Sequence, residues 1–279
     1  MNSFVVPTLV GLVCSTFAFG QSASQRMKLT FFAQPPTGDF VATLPGAATP
    51  AFRFLVPEWI NADSFDVLKR AQSILSWSGP FHTAPQTWTT DTQGTLHGVL
   101  IVTNLLQAIT VVEPHEEFVA IKWELRNLTD ITWEHPRTDF CMGVNAGGGQ
   151  WANKTFLPLS KLDRQEDGAY WHDRVAARGA YIHSGGQWIK FADAKDKPLD
   201  ATIIAVANEK DETFAFMIWD VPAPAPWINN ENACMHLRPQ LGDKIAPGRI
   251  AALRGREGIT PKGLAEIWRL YQELLNDTK

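Results

Sequence analysis

The stretch Phe118-Val-Ala-Ile-Lys-Trp-Glu-Leu-Arg126 decides the fold class. Val119, Ile121, Trp123 and Leu125 alternate with Ala120, Lys122, Glu124 and Arg126. That period of two belongs to a strand with one face buried and one face wet. Thr95–Val102 (TLHGVLIV) and Ala108–Val112 (AITVV) upstream are also strand-like, and Pro114-His-Glu-Glu117 supplies the turn into Phe118. Downstream, Asn127-Leu-Thr-Asp130 is a turn cluster that sends the chain back as a strand from Ile131. The same reading predicts strands at Tyr181–His183, Gln187–Ala192, Ala201–Ala207 and Thr213–Trp219, with a hairpin at Ser184-Gly185-Gly186.

Val221-Pro-Ala-Pro-Ala-Pro226 cannot lie centrally in a sheet, because its prolines lack donors. It reads as a rim segment leading Trp227 and Ile228 into the turn Asn229-Asn230-Glu231-Asn232. Thr260-Pro261 looks like an N-cap followed by proline at the first helical position. Leu264, Ile267, Trp268, Tyr271, Leu274 and Leu275 then recur at helical spacing, which predicts an amphipathic helix over 261–276. A second helix is expected over Ser64–Leu75, stopped by Gly79-Pro80. Neither an internal repeat nor a βαβ rhythm is present. The expectation is all-β: one large antiparallel β-sandwich with a C-terminal helix.

Residues 5–19 form an uncharged, mostly apolar run, with Ala18 and Gly20 placed as small residues before a cleavage point at Gln21. The run has the length of a signal h-region and is too short for the roughly 20 residues that span a bilayer. Residues 1–20 are therefore expected to be an export signal, and 21–279 a single domain of a periplasmic or secreted protein without a membrane anchor. The remaining cysteines, Cys141 and Cys234, could pair in an oxidising compartment or remain two buried thiols. The 279 residues carry 25 basic and 29 acidic side chains, a net charge of −4. No basic patch or stripe is visible, so nucleic acid is not an expected partner.

No phosphate loop, nucleophile elbow, zincin helix or Cys-x-x-Cys pair occurs, so no cofactor is expected. The histidines show no metal-ligand spacing, and no metal site is assigned; His82, His97 and His236 could meet only in space. The informative signal is polar residues on alternate positions of strand-like runs. Arg137, Asp139 and Cys141 share one face of Pro136–Val144, and Cys234, His236 and Arg238 share one face of Ala233–Pro239. Lys122, Glu124 and Arg126 form a third row. Each row is either a solvated face with cross-strand ion pairs or part of a ligand site. Because both cysteines of the 21–279 region fall in such rows, the Arg137 and Cys234 rows are expected to be neighbours.

The 11 Trp against 3 Tyr divide in the same manner. Trp123, Trp188, Trp219 and Trp268 sit where a core is expected, whereas Trp77, Trp88, Trp133, Trp151, Trp171 and Trp227 lie near turns. The second group could anchor loops or stack on sugar rings.

Leu96-His97-Gly98, the strand ending in Glu124-Leu-Arg-Asn-Leu-Thr-Asp130, and the run Asn232–Pro239 through Ala246-Pro247-Gly248 resemble the galactose-mutarotase-like supersandwich. In that group one histidine follows a similar Leu-His-Gly, a second follows the later strand, and a late carboxylate is the base. The resemblance implies His97 as a catalytic acid or base, with Glu231 and Asp243 open as the carboxylate. Where the group carries its second histidine, this chain has Asp139-Phe-Cys-Met142. Function is therefore expected in carbohydrate binding or in proton-transfer chemistry on a sugar, of epimerase or lyase type. His97 and His236 are the expected catalytic residues; Arg137, Asp139, Arg238, Trp88, Trp227 and Glu124 are expected to hold the substrate. Two alternatives stand beside it: a non-catalytic glycan- or protein-interaction domain, and a metal-dependent hydrolase.

Overall fold

The computed structural model describes residues 26–32, 38–48, 50–65, 86–143, 180–193, 199–207, 213–223, 226–229 and 234–277. In chain order the strands begin with β1 (Lys28–Phe31), β2 (Asp39–Thr43), β3 (Phe52–Asn61), β4 (Gln86–Thr90), β5 (Leu96–Val102) and β6 (Leu106–Pro114). They continue with β7 (Phe118–Asn127), β8 (Trp133–Glu134), β9 (Arg137–Gly143), β10 (Ala180–Ser184), β11 (Gln187–Lys190) and β12 (Ile203–Ala207). The last are β13 (Phe214–Trp219), β14 (Trp227–Asn229), β15 (Cys234–Leu237), β16 (Lys244–Ile245) and β17 (Ile250–Thr260), before helix α1 (Gly263–Asn276).

Nine strands form one sheet in the order β11-β10-β12-β13-β17-β7-β6-β5-β4, and six form another in the order β1-β2-β3-β9-β15-β14. β16 and β8 make a separate pair. Neighbouring strands run antiparallel, as in β7 against β17 and β9 against β15. The expected all-β antiparallel sandwich is the architecture observed.

Strand alternation fills the space between the sheets. From the nine-stranded sheet come Leu96, Leu100, Trp123, Leu125 and Trp219; from the six-stranded sheet come Phe40, Phe54, Phe140, Met142, Met235 and Leu237. Phe140 meets Trp123 edge-on at 5.9 Å and stacks on Trp219 at 3.7 Å. Aromatic pairs of this kind add about 0.5–1.5 kcal/mol beyond their buried area. Trp133, read from sequence as a turn aromatic, is also fully buried. The Asn127 turn explains this: its side-chain amide donates to the Ile131 and Ile245 carbonyls, and Trp133 Nε1–H donates to the Thr129 hydroxyl.

Helix α1 covers the other side of the nine-stranded sheet, where Ile267, Leu270 and Leu274 pack on Ile203, Ala205, Phe216 and Ile218. Its expected N-cap is a correction: Thr260 pairs with Phe214 and ends β17, and the helix begins at Gly263. Arg254 from β17 donates to the Leu274 carbonyl, among the last four of the helix that lack an intrahelical donor, and Arg256 donates to the Leu270 carbonyl one turn earlier.

Smaller differences follow from local chemistry. The strand read over Gln187–Ala192 ends at Lys190 and gives way to a 3-10 turn, and the rim dipeptide Trp227-Ile228 belongs to the edge strand β14. Of the expected helix at Ser64–Leu75, residues 66–75 lie outside the described set, as do Trp77, Trp151 and Trp171. Among the described residues no helix is long and apolar enough to cross a membrane.

Candidate functional site

The six-stranded sheet turns its apolar residues inward, so alternation turns Leu55, Asp139, Cys141, His236 and Arg238 outward. Cys141 lies opposite His236 on one side and Leu55 on the other. The two polar rows read from sequence are thus neighbours, as expected. This outer face is not solvated: the Asp139 side chain is 0% exposed, His236 2% and Cys141 1%.

Such burial requires partners. Arg238 Nε donates to Asp139 Oδ2 at 3.0 Å, and the guanidinium lies 5.1 Å above the Trp59 ring. His236 Nδ1 stands 3.0 Å from Glu58 Oε2 and 3.5 Å from Asp139 Oδ1. A continuous polar chain therefore runs Glu58–His236–Asp139–Arg238, with Arg238 its most exposed member.

An irregularity in β3 delivers Glu58. Leu55 pairs with Cys141 but Trp59 pairs with Asp139, so β3 carries two more residues than β9 across the same span. The extra length forms a bulge at Val56–Glu58 that lifts the carboxylate out of ladder register. Gly38 holds the bulge, its carbonyl accepting the Val56 N–H at 2.8 Å. A Cβ there would sit 2.5 Å from the Val56 oxygen, so only glycine allows the approach.

Arg137 starts the same row but turns to the sheet end, where it donates to Asp63 at 2.9 Å; His135 Nδ1 meets the same carboxylate at 2.9 Å. The Arg137 hydrogen bond, then that of His135, holds the Asp63 carboxyl below the usual range. Trp227 pairs with His236 through the backbone, and Cys234 pairs with Gly143; both side chains, and with them the Cys141–Cys234 pairing, lie outside the described residues. Glu231 lies outside as well.

The remaining expected residues lie elsewhere. His97 points outward from the nine-stranded sheet, 48% exposed, with Asp91 Oδ2 at 3.8 Å. His97 and His236 stand on opposite outer surfaces of the sandwich, so they cannot act on one substrate in one site. The expectation fails because strand alternation sets a residue's face but not which sheet it joins. Glu124 is solvent-exposed in the same outer face as Lys122 and Arg126, an ordinary wet row. The Trp88 ring is also not a stacking platform. It covers Gly98, where a Cβ would lie 2.5 Å from the ring, and meets Phe40 edge-on at 4.9 Å.

Sequence reasoning missed Glu58 and Trp59. The signal available was Pro57 inside an otherwise regular strand pattern, since proline in a strand marks an edge or a bulge. It also missed Glu257, which alternation sends into the sandwich interior. Among the described residues neither of its carboxylate oxygens has a hydrogen-bond partner, and burial pushes its carboxyl well above the usual range, with the charge of His236 pulling the other way. A further pair, His183 with Asp200 at 2.6 Å, stacks its imidazole on Trp268 at 3.8 Å and so ties α1 to the sheet edge.

No family model matches the chain, and no curated protein matches it. Among solved structures, it is similar to a galactose mutarotase related enzyme from Lactobacillus acidophilus, with TM-score 0.47, 8% identity, and coverage of 86% of this chain and 96% of that one. An aldose epimerase homologue from C. elegans aligns with TM-score 0.43 and 10% identity over 84% of this chain and 99% of that one. A human-microbiome protein named as a kojibiose phosphorylase aligns with TM-score 0.41 and 7% identity over 92% of this chain, which spans only 33% of that protein's length.

Proposed function

We propose that the outer face of the six-stranded sheet around Arg238 and Glu58 binds a carbohydrate, either a neutral sugar or a uronate. One juxtaposition carries the reading: a guanidinium and a carboxylate stand at the rim of a buried polar chain that fixes both. Carboxylates accept from sugar hydroxyls, and a guanidinium donates to hydroxyl or carboxylate oxygens. Few, convergent and pre-positioned polar groups are what a small-molecule site needs.

Glu58 is the group placed to exchange a proton with the ligand. It would take the proton from a sugar hydroxyl or carbon, and the imidazole at 3.0 Å would steady the resulting charge distribution. This is proton-transfer chemistry of the epimerase or lyase type. Binding without turnover is the second reading, favoured by the near-complete burial of His236 and Asp139.

A thermal-shift screen with neutral sugars and uronates at millimolar concentration tests the binding. A rise in Tm that disappears in Arg238→Ala is expected; no shift with any sugar overturns the reading. Glu58→Gln separates the two forms, since retained binding with lost turnover belongs to catalysis. We also infer that residues 1–20 are removed on export to the periplasm or beyond, a reading supported by the apolar run at 5–19. N-terminal sequencing of the exported chain should begin at Gln21, and a retained Met1 would refute it.

A further inference from the structure

We propose that Glu58, Cys141 and His236 form a binding site for a single divalent transition metal ion of the zinc type, three protein ligands that leave the fourth position to water. The inference deepens the reading of the same face and shares Glu58 with it, but concerns the buried floor beneath the sugar-binding rim.

Donor convergence carries the inference. One carboxylate oxygen of Glu58, the Cys141 sulfur and a ring nitrogen of His236 all lie within 4.8 Å of one another. Zinc bonds of about 2.0–2.3 Å in a tetrahedron place ligand atoms roughly 3.3–3.8 Å apart, so loading draws the widest-spaced of these groups together by no more than about 1.5 Å. Asp139 stands outside this group, with its Oδ1 3.5 Å from His236 Nδ1. The three ligands arrive from three strands, Glu58 from the β3 bulge, Cys141 from β9 and His236 from β15.

The donor types select the ion. A thiolate, an imidazole and carboxylates suit zinc, cobalt or nickel, whereas magnesium and calcium require an all-oxygen shell. Charge is also matched. With the thiol ionised, Glu58 and Cys141 carry two negative charges, the complement of a divalent cation, while Asp139 is paired with Arg238 at 3.0 Å. Asp139, itself held by Arg238, fills the role of an outer carboxylate that orients the ligating imidazole. Burial fits an ion better than a sugar, because the Cys141 and His236 side chains are almost wholly enclosed.

The test uses the full chain, reduced, stripped with chelator and titrated with cobalt(II) and then zinc. Binding of one equivalent is expected, with a thiolate-to-cobalt charge-transfer band and the intense d–d bands of tetrahedral cobalt, both erased by zinc. Magnesium and calcium should not displace cobalt. Cys141→Ser should lose the charge-transfer band, and Glu58→Gln should weaken zinc binding by about 10-fold or more. Circular dichroism establishes that each variant is folded, while the wild-type titration needs no variant. Absence of a sulfur-to-cobalt band in the folded wild type, or its persistence in Cys141→Ser, overturns the proposal. Sugar-induced thermal shifts recorded on the stripped protein are independent of this result: their loss would remove the carbohydrate reading alone, and loss of the cobalt band would remove the metal alone.

Discussion

The two outer surfaces of the sandwich use similar residues to opposite ends. On the nine-stranded sheet, His97, Lys122, Glu124 and Arg126 stand in water. His97 meets its nearest carboxylate only at 3.8 Å. On the six-stranded sheet, His236, Asp139 and Cys141 are enclosed, and Glu58 with Arg238 closes the charges at 3.0 Å. A strand pattern with polar residues on alternate positions therefore describes both a solvated surface and a buried network. What separates them is cover and a bulge, neither of which is a property of periodicity.

Four substitutions break or sharpen that contrast. The largest effect should follow Asp139→Ala, which strands the imidazole and the guanidinium beside an apolar gap. Removing one member of a buried ion pair costs about 3 kcal/mol or more, read as a lower urea midpoint. A loss under about 1 kcal/mol would place this surface with the solvated one.

Glu257→Gln should act in the other direction, and only with pH. A carboxyl whose folded pKa is raised stabilises the fold fully below the ordinary glutamate pKa, near 4.3, and loses that contribution as pH climbs to its folded value. Relative to the glutamine variant, the wild type should lose up to about 1.4 kcal/mol per pH unit over that window. Melting curves at pH 4 and pH 7 check it; equal curves at both would show that the carboxyl has found a partner.

Gly98→Ala should cost about 1–3 kcal/mol by driving a methyl into the Trp88 ring. Its neighbour on the same strand, His97→Ala, should change stability by less than about 0.5 kcal/mol and leave any sugar-induced shift intact. If His97→Ala instead abolishes that shift, the ligand lies on the nine-stranded sheet and the contrast is inverted.

Much of the scaffold was legible because its strands obey one rule. The alternation of Val119, Ile121, Trp123 and Leu125, all buried, predicts β7 within a residue of its end. The helix periodicity from Leu264 to Leu275 succeeds on the same ground, and its cap fails because sheet pairing of Thr260 outweighs a local capping preference. The neighbouring rows of Asp139 and His236 were also legible. Glu58 was not, since a bulge breaks the period on which the reading depends. Neither was the separation of His97 from His236, which depends on sheet order. Trp133 and Trp88 were misplaced because proximity to a turn does not say whether the turn folds over the core.

The bulge in β3 has a consequence for how such a surface could arise or vanish. Its excess over β9 is two residues, an even number. Deleting Pro57 and Glu58 would leave Val56 facing the core and Trp59 facing out, as they do now, because side-chain direction repeats every second residue. A short in-frame deletion could thus strip the acidic donor from this surface without turning any remaining side chain of the strand inside out. The matching insertion could add the donor to a plain sandwich. Relatives of this chain could differ at the site by chain length rather than by substitution, and an alignment that treats this as a gap in a strand would overlook the gain or loss of an ion-binding centre.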